Sequence, residues 1–332
     1  MKSLIEKIVS IPGPSGYEAQ IRQVVRSEIE PHADEVTVDA LGSLIARKGR
    51  VAAGGKRIML AAHMDEIGVM VTHIDENGFA RFTNIGGVRA YNCPGGRVRF
   101  LNGSLGVIGI ERLEDPNTTP ALEQMYLDLG VSSRKDSPVR IGDVAAFERP
   151  FVDLGARLVS KALDDRIGVA VLIETLRSLP PTPNEIYFVF SVQEEVGVRG
   201  ATTAAYAIDP DLGLAVDVTG VGDTPKGIKM EVSLGKGPAI KVRDGGMLAD
   251  PRIVAWMVQT AQSAHIPYQM EILERGGTDA RAIQLTRAGV PAGCISIPGR
   301  YIHTSSEMVD FSDAQNAVHL LVEFLRKPVS LE

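Results

Sequence analysis

The sequence predicts an α/β protein. A mixed sheet with helices on both faces is built from residues 1–66 and 160–332 and is interrupted by a small all-β segment at 67–159. Three observations carry this. Short apolar runs alternate with helical periodicity at both ends of the chain, which implies strands covered by helices. Between them, from about residue 67 to 150, strands and hairpin turns succeed one another with no long helical pattern. The 332 residues are 44% hydrophobic and 23% charged, ordinary for a globular chain with enough material for a large core.

Taken in order, the opening Met-Lys-Ser-Leu-Ile-Glu-Lys reads as an amphipathic helix. A second helix covers 17–30, where Ile21, Val24, Val25 and Ile29 recur on one face. A strand pair follows at Glu35–Asp39 and Ser43–Arg47, turned at Leu41-Gly42. Arg57–Ala62 is a short apolar run of the kind buried on both faces, and it ends at His63. In the β segment, Val69–Ile74 and Phe79–Asn84 flank the turn Glu76-Asn77-Gly78. Val98–Leu101 and Leu105–Ile110 flank Asn102-Gly103, and Asp143–Glu148 adds another strand. Gly86-Gly87 and Gly95-Gly96 read as tight turns. Thereafter come a helix at Gly168–Leu179, strands at Glu185–Val192 and Leu212–Val218, and a helix at Asp250–Ala264 opened by Asp250-Pro251. A strand at Tyr268–Leu273, a helix at Ala280–Thr286, a strand at Ala292–Ile297 and a helix at Asp313–Phe324 complete the pattern.

Composition narrows the function. The net charge of -6 is spread along the chain, and no Lys/Arg stripe marks a nucleic-acid surface. Cys93 and Cys294 lie far apart, which fits a reducing compartment rather than a disulfide scaffold. The first residues lack the apolar core of a signal peptide, and no stretch approaches the ~18 apolar residues of a membrane span. The expectation is a soluble cytoplasmic protein with no membrane partner.

The informative feature is where polar residues interrupt or end apolar strands, because ligands of open α/β sheets bind beyond the carboxyl ends of the strands. His63-Met-Asp65 follows the first such run; a surface turn is the plain alternative. Asp164-Asp165 opens a helix, where acids also serve as caps. Glu194-Glu195 closes a strand that reads as buried, where paired acids are costly unless neutralised. Asp217 lies inside the run Leu212–Val218. His303 sits in a polar loop after the strand at 292–297. His32, His73, His265 and His319 have no such partners and read as structural, as does Cys294.

Together these positions offer two histidines and three carboxylates as ligands, with a glutamate to spare. Imidazole mixed with carboxylate suits Zn²⁺, Co²⁺ or Mn²⁺ better than Ca²⁺ or Mg²⁺. Five ligands exceed the need of one catalytic zinc. Two cations about 3.5–4 Å apart, sharing a carboxylate and a bridging water, would use them all.

The set His63-x-Asp65, Lys161-Ala-Leu-Asp164-Asp165-Arg166, Glu194-Glu195, Val216-Asp217 and Ile302-His303 resembles, in order and spacing, the M42 metallo-aminopeptidases, the tetrahedral TET peptidases. Ile11-Pro-Gly-Pro-Ser-Gly16 and Arg275-Gly-Gly-Thr-Asp279-Ala280 are similar to further motifs of that family. The resemblance spans nearly the whole chain. It implies a phosphorylase/hydrolase-like zinc-peptidase fold with a PDZ-like or barrel dimerisation insertion. It implies that His63 and Asp217 bind one metal, Glu195 and His303 the other, and that Asp164 bridges them before a cis peptide. Glu194 is then the general base acting on a metal-bridging water, and Asp65 the partner that orients His63. Gly277-Thr278-Asp279 is placed near the substrate pocket. Peptides with free N-termini become the expected substrates, and dimers building a hollow dodecamer the expected assembly. A two-metal amidohydrolase, deacylase or carboxypeptidase is the rival reading, since such centres serve several hydrolyses. Glycoside cleavage needs a facing pair of free carboxylates, and here most acids are assigned to metal. A non-catalytic assembly scaffold is disfavoured by the complete ligand set.

Overall fold

The computed structural model describes residues 1–115, 117–329 and 331. An 11-stranded mixed sheet forms the body of the molecule. Its centre is three parallel neighbours, Glu185–Ser191, Arg57–His63 and Leu212–Thr219, followed by Ala292–Arg300, also parallel to the strand beside it. Register places Ser191 beside His63, and Asp217 beside Ser296. Antiparallel strands extend both flanks. Glu35–Val38 and Leu44–Lys48 lie on one side; Glu307–Asp310, Arg157–Ser160 and Val152–Asp153 lie on the other.

Alternation along the central strands divides two packing faces. Ile58, Leu60 and Ala62, with Ile186, Phe188 and Phe190, and Leu214 and Val216, point into the larger core. There they meet Lys2–Val9, Ala19–Ile29, Leu163–Ser178, Pro251–Ser263 and Phe311–Leu325. The opposite face carries smaller side chains: Met59, Ala61, Val189, Ala215 and Cys294. These receive Arg199–Ile208 and Asp279–Gln284. Each large side chain so buried contributes about 1.5–3 kcal/mol. Helix Leu163–Ser178 is enclosed on nearly every side.

The β segment folds into a closed antiparallel barrel with strand order Gly68–Ile74, Ala80–Ile85, Met125–Asp128, Leu105–Ile110, Arg97–Phe100 and Val144–Glu148. It has its own core around Val69, Phe82, Val98, Phe100, Ile108 and Leu127. The strand Met125–Asp128 was not expected from sequence. It is four residues long and follows a single 3-10 turn, too short to display a period. Arg199–Ile208, Ala239–Arg243 and Glu307–Asp310 were also unforeseen. In Ala239–Arg243 the charged Lys241 is fully buried, which reverses the usual reading of lysine as a surface residue. Asp164 and Asp165 do not form a regular first turn. They have non-helical backbone angles, and the peptide between them is cis, as the resemblance implies.

Candidate active site

His63 ends its strand with its ring buried against Asp164: Nε2 lies 3.1 Å from Asp164 Oδ1 and 4.0 Å from Asp217 Oδ1. Across Asp164, the Nε2 of His303 lies 3.2 Å from Asp164 Oδ2 and 3.1 Å from Glu195 Oε2. Two clusters therefore form, His63–Asp164–Asp217 and Asp164–Glu195–His303, each with its ligand atoms within 4.8 Å of one another and with Asp164 common to both. All five residues singled out as ligands from the sequence meet here. Glu194 lines the same cavity and belongs to neither cluster.

The electrostatics fit a cation. Burial pushes the carboxyls of Glu194 and Asp217 well above the usual range, against the pull of His63, and it raises Glu195 as well. Burial would lower both imidazoles, yet hydrogen bonds to Asp164 and its neighbours draw His63 well up and His303 to about 11. Acids driven towards neutrality beside bases driven towards charge mark a pocket that is short of positive charge. The donor set, two imidazoles and three carboxylates, suits Zn²⁺, Co²⁺ or Mn²⁺.

Asp65 ties the two sides together. Its carboxylate accepts hydrogen bonds from Ser15 Oγ at 2.6 Å, Glu194 N at 3.0 Å and Glu195 N at 3.2 Å. His63 Nδ1 lies 3.1 Å from the Asp65 carbonyl and 3.5 Å from its Oδ1. That contact fixes the ring and leaves Nε2 turned to Asp164. The cap reading of Asp164-Asp165 holds for one of the pair: Asp165 accepts from Gly168 N at 3.1 Å and from His63 N at 3.3 Å, while Asp164 points into the cluster.

Several residues were not assigned from sequence. Buried Glu307 accepts from Asp164 N at 2.8 Å and His303 N at 2.9 Å, and so holds the shared carboxylate and the far imidazole at once. The only hint was an acid four residues after His303. Glu18 accepts from Gly16 N at 2.7 Å and Gln193 N at 3.1 Å; burial, then the nearby Asp65, raise its pKa to about 7. It clamps the loop 13–18 to the residue preceding Glu194. Gly86-Gly87 do more than turn the chain. A Cβ on Gly87 would fall 2.3 Å from His303 Nδ1, and one on Gly86 3.0 Å from Glu195 Cβ. Asp279, placed near the pocket by the sequence reading, is buried and accepts a hydrogen bond from Ser191 Oγ. Beyond the acids, the cavity of about 320 Å³ is walled by Thr219, Gly220, Lys241, Leu273, Arg281 and Ile302.

An α/β/α sheet bearing paired histidine–carboxylate clusters at the carboxyl ends of its central parallel strands defines a metallohydrolase. Comparison with known proteins narrows this. The profile described as M42 glutamyl aminopeptidase matches residues 42–320. A lysyl aminopeptidase of Pyrococcus furiosus is 37% identical over 98% of this chain and 96% of its own. The solved aminopeptidase of the archaeon Desulfurococcus kamchatkensis superposes with a TM-score of 0.94 at 40% identity, covering 98% of this chain and 94% of its own. The TET1 peptidase of Pyrococcus horikoshii, which assembles into a tetrahedron or a large octahedral shell, gives a TM-score of 0.88 at 31% identity, with 98% of both chains covered. The chain belongs to the M42 peptidase family, and it is a metallo-aminopeptidase.

Proposed function

We propose that this aminopeptidase works with two divalent cations, one held by His63, Asp164 and Asp217 and the other by Asp164, Glu195 and His303, and that Glu194 is its base. The observation that carries the reading is the pair of clusters sharing Asp164. When bound, such cations polarise a scissile carbonyl, hold a free α-amine and acidify water. Glu194 is free of both clusters. Its carboxylate can take a proton from water and return it to the leaving amine. The two backbone amides that Asp65 accepts, those of Glu194 and Glu195, fix where that carboxylate stands relative to His63. Asp65 is therefore assigned to orientation of both His63 and the base.

Glu194→Gln should retain the metal content of the parent, measured by plasma mass spectrometry, and lose turnover of aminoacyl p-nitroanilides by about 10²–10⁴-fold. Full turnover in that variant removes Glu194 from the role. Peptides with a free N-terminus should be cleaved and their N-acetylated forms left intact. Added Zn²⁺, Co²⁺ and Mn²⁺, tried in turn on stripped protein, identify the working metal.

The same reading divides the chain into a catalytic unit, 1–66 plus 160–332, and an inserted unit, 67–159, through which dimers form and build a tetrahedral dodecamer. The likeness to a peptidase that assembles into a tetrahedron supports this. A cytoplasmic setting is consistent with two free, buried cysteines; among the described residues, no helix is long and apolar enough to cross a membrane. Light scattering on the purified protein measures the assembly directly.

A further inference from the structure

The strand Glu185–Ser191 stops short of the base, leaving Val192 and Gln193 between them. The place of Glu194 is therefore set by what holds the segment after the strand. Its successive amides are bound by carboxylates from the first third of the chain. Gln193 N donates to Glu18 Oε1 at 3.1 Å, Glu194 N to Asp65 Oδ1 at 3.0 Å and Glu195 N to Asp65 Oδ2 at 3.2 Å. Gln193 has a φ of 56°, in the left-handed region that side-chain-bearing residues seldom enter. A turn containing such a residue aims consecutive N–H groups into a concavity that binds an anion. Here the anions are the protein's own carboxylates. A backbone held this way persists only where its surroundings over-determine it, and at Gln193 N the acceptor is Glu18.

Glu18 is itself firmly held. It is buried, and the same Oε1 accepts Gly16 N at 2.7 Å. It caps the helix Ala19–Ile29, whose Ile21, Val25 and Ile29 lie in the core. The loop before it is fastened at two more points: Gly13 N donates to Glu66 Oε1 at 2.9 Å, and Ser15 Oγ to Asp65 Oδ2 at 2.6 Å. Loop 13–18 thus joins the residues that follow His63 to the residue that precedes Glu194. On its other side the base-bearing segment closes on itself: Gln193 O accepts Arg199 N at 3.2 Å, and Glu194 O accepts Gly197 N and Val198 N, each at 2.9 Å. Burial and neighbouring charges dominate the surroundings of the Glu194 carboxylate, and among the described residues no hydrogen bond reaches it. Its aim is set by its backbone.

We propose that Glu18 is a positioning residue for the catalytic base: by accepting the Gln193 amide it fixes where the Glu194 carboxylate stands over the two clusters. This deepens the reading of Glu194 as base and rests on it. Asp65 anchors the two amides that follow, so the two acids act on one turn. A base displaced by about 1 Å loses on the order of 10²-fold in rate.

The test measures kcat and KM for Leu-p-nitroanilide with the metal-loaded parent, Glu18→Ala, Glu18→Gln, Glu194→Gln and the double variant Glu18→Ala/Glu194→Gln. Metal content and a melting curve are taken on each preparation. Glu18→Ala should lower kcat by about 10–100-fold, with KM within about threefold and metal content kept. Burial and Asp65 raise the Glu18 pKa to about 7, so near neutrality part of the population holds the amides as the neutral acid, which glutamine reproduces. Glu18→Gln should accordingly restore kcat to within about threefold of the parent. In the Glu194→Gln background, Glu18→Ala should cost less than about twofold, because no base is left to misplace. A merely structural role would lower kcat by the same factor in both backgrounds. Should Glu18→Ala not fold, Gly16→Ala carries the same comparison: its Cβ meets nothing within 4 Å, but its φ of 88° strains any side chain and so disturbs the amide that Glu18 accepts. Full turnover in Glu194→Gln would remove the base reading and this assignment with it. With Glu194→Gln impaired, a parental kcat in Glu18→Ala, equal losses in both backgrounds, or a Glu18→Gln as slow as Glu18→Ala would overturn the assignment alone.

Discussion

Replacing Gly87 by alanine is the sharpest probe of how the barrel contributes to the site. The residue is exposed and lies outside the left-handed region, so the substitution strains no backbone. On its own it should stabilise the fold slightly, since alanine restricts the unfolded chain. The new Cβ would stand 2.3 Å from His303 Nδ1 and 2.6 Å from Cε1, whereas ordinary contact begins near 3.4 Å. The ring must therefore retreat by 3.4 − 2.3 = 1.1 Å, or turn by an equivalent amount. It has little room to do so, because its backbone N–H is held by Glu307 at 2.9 Å and its Nε2 sits 3.2 Å from Asp164 and 3.1 Å from Glu195. A misplacement of about 1 Å in a catalytic constellation costs on the order of 10²-fold in rate. The expected result is a kcat/KM lowered about 100-fold with a reduced metal content, and a thermal midpoint that falls, because the clash and the lost metal outweigh the small gain from alanine. The assays are p-nitroanilide turnover, plasma mass spectrometry and a melting curve on the same preparation. Full turnover with full metal content would refute the claim that this glycine exists to seat His303.

Two further predictions concern stability away from the site chemistry. Lys161 donates to both oxygens of Glu66, at 2.9 and 2.8 Å, with both side chains almost wholly buried; Lys161→Met leaves that carboxylate only the Gly13 amide at 2.9 Å and Arg166 at 3.7 Å, and should cost about 3 kcal/mol in urea unfolding. The double variant Lys161→Met/Glu66→Met should lose less than the single one, and an equal or larger loss would show that the charge pair is not the source of the effect. Burial raises Asp313 to about 6, against the amides of Gly235 and Gly237 that it accepts. A folded-state pKa above the unfolded value means that the native state binds the extra proton. Stability from this group is complete below about pH 4 and is lost as pH rises through 6, by at most about 3 kcal/mol. The difference in unfolding free energy between parent and Asp313→Asn should therefore change over that window, and parallel pH profiles would dispose of the assignment.

Much of this centre was legible because the sequence violates its own pattern there. His63, Glu194-Glu195 and Asp217 break or end strands that are otherwise continuously apolar, and burial without a partner is expensive enough to make each break meaningful. Asp164 and His303 lack that signature; they stood out only when set beside the others and the family pattern. What stayed hidden depends on contacts between distant segments. Glu307 looks like one more polar loop residue until it is seen to accept amides from Asp164 and His303. Gly86-Gly87 carry an ordinary turn signal, and nothing local says that an imidazole more than two hundred positions away leans on them. Met125–Asp128 and Ala239–Arg243 are strands whose identity is conferred by neighbours: the first closes a barrel, and the second buries a lysine only because Glu271 arrives from the next strand.

The chain leaves the main sheet for the barrel after His63 and rejoins that sheet at Val152, and the barrel's first and last strands, Gly68–Ile74 and Val144–Glu148, pair with each other from Gly68 opposite Ala146 to Met70 opposite Val144. Entrance and exit therefore share one narrow neck. Residues far from that neck can be lengthened, shortened or redecorated without pulling His63 and Asp164 apart, because the neck sets their spacing. Such freedom stops at the bend that rests on His303, so a graft of this module onto a related body must carry that bend unchanged.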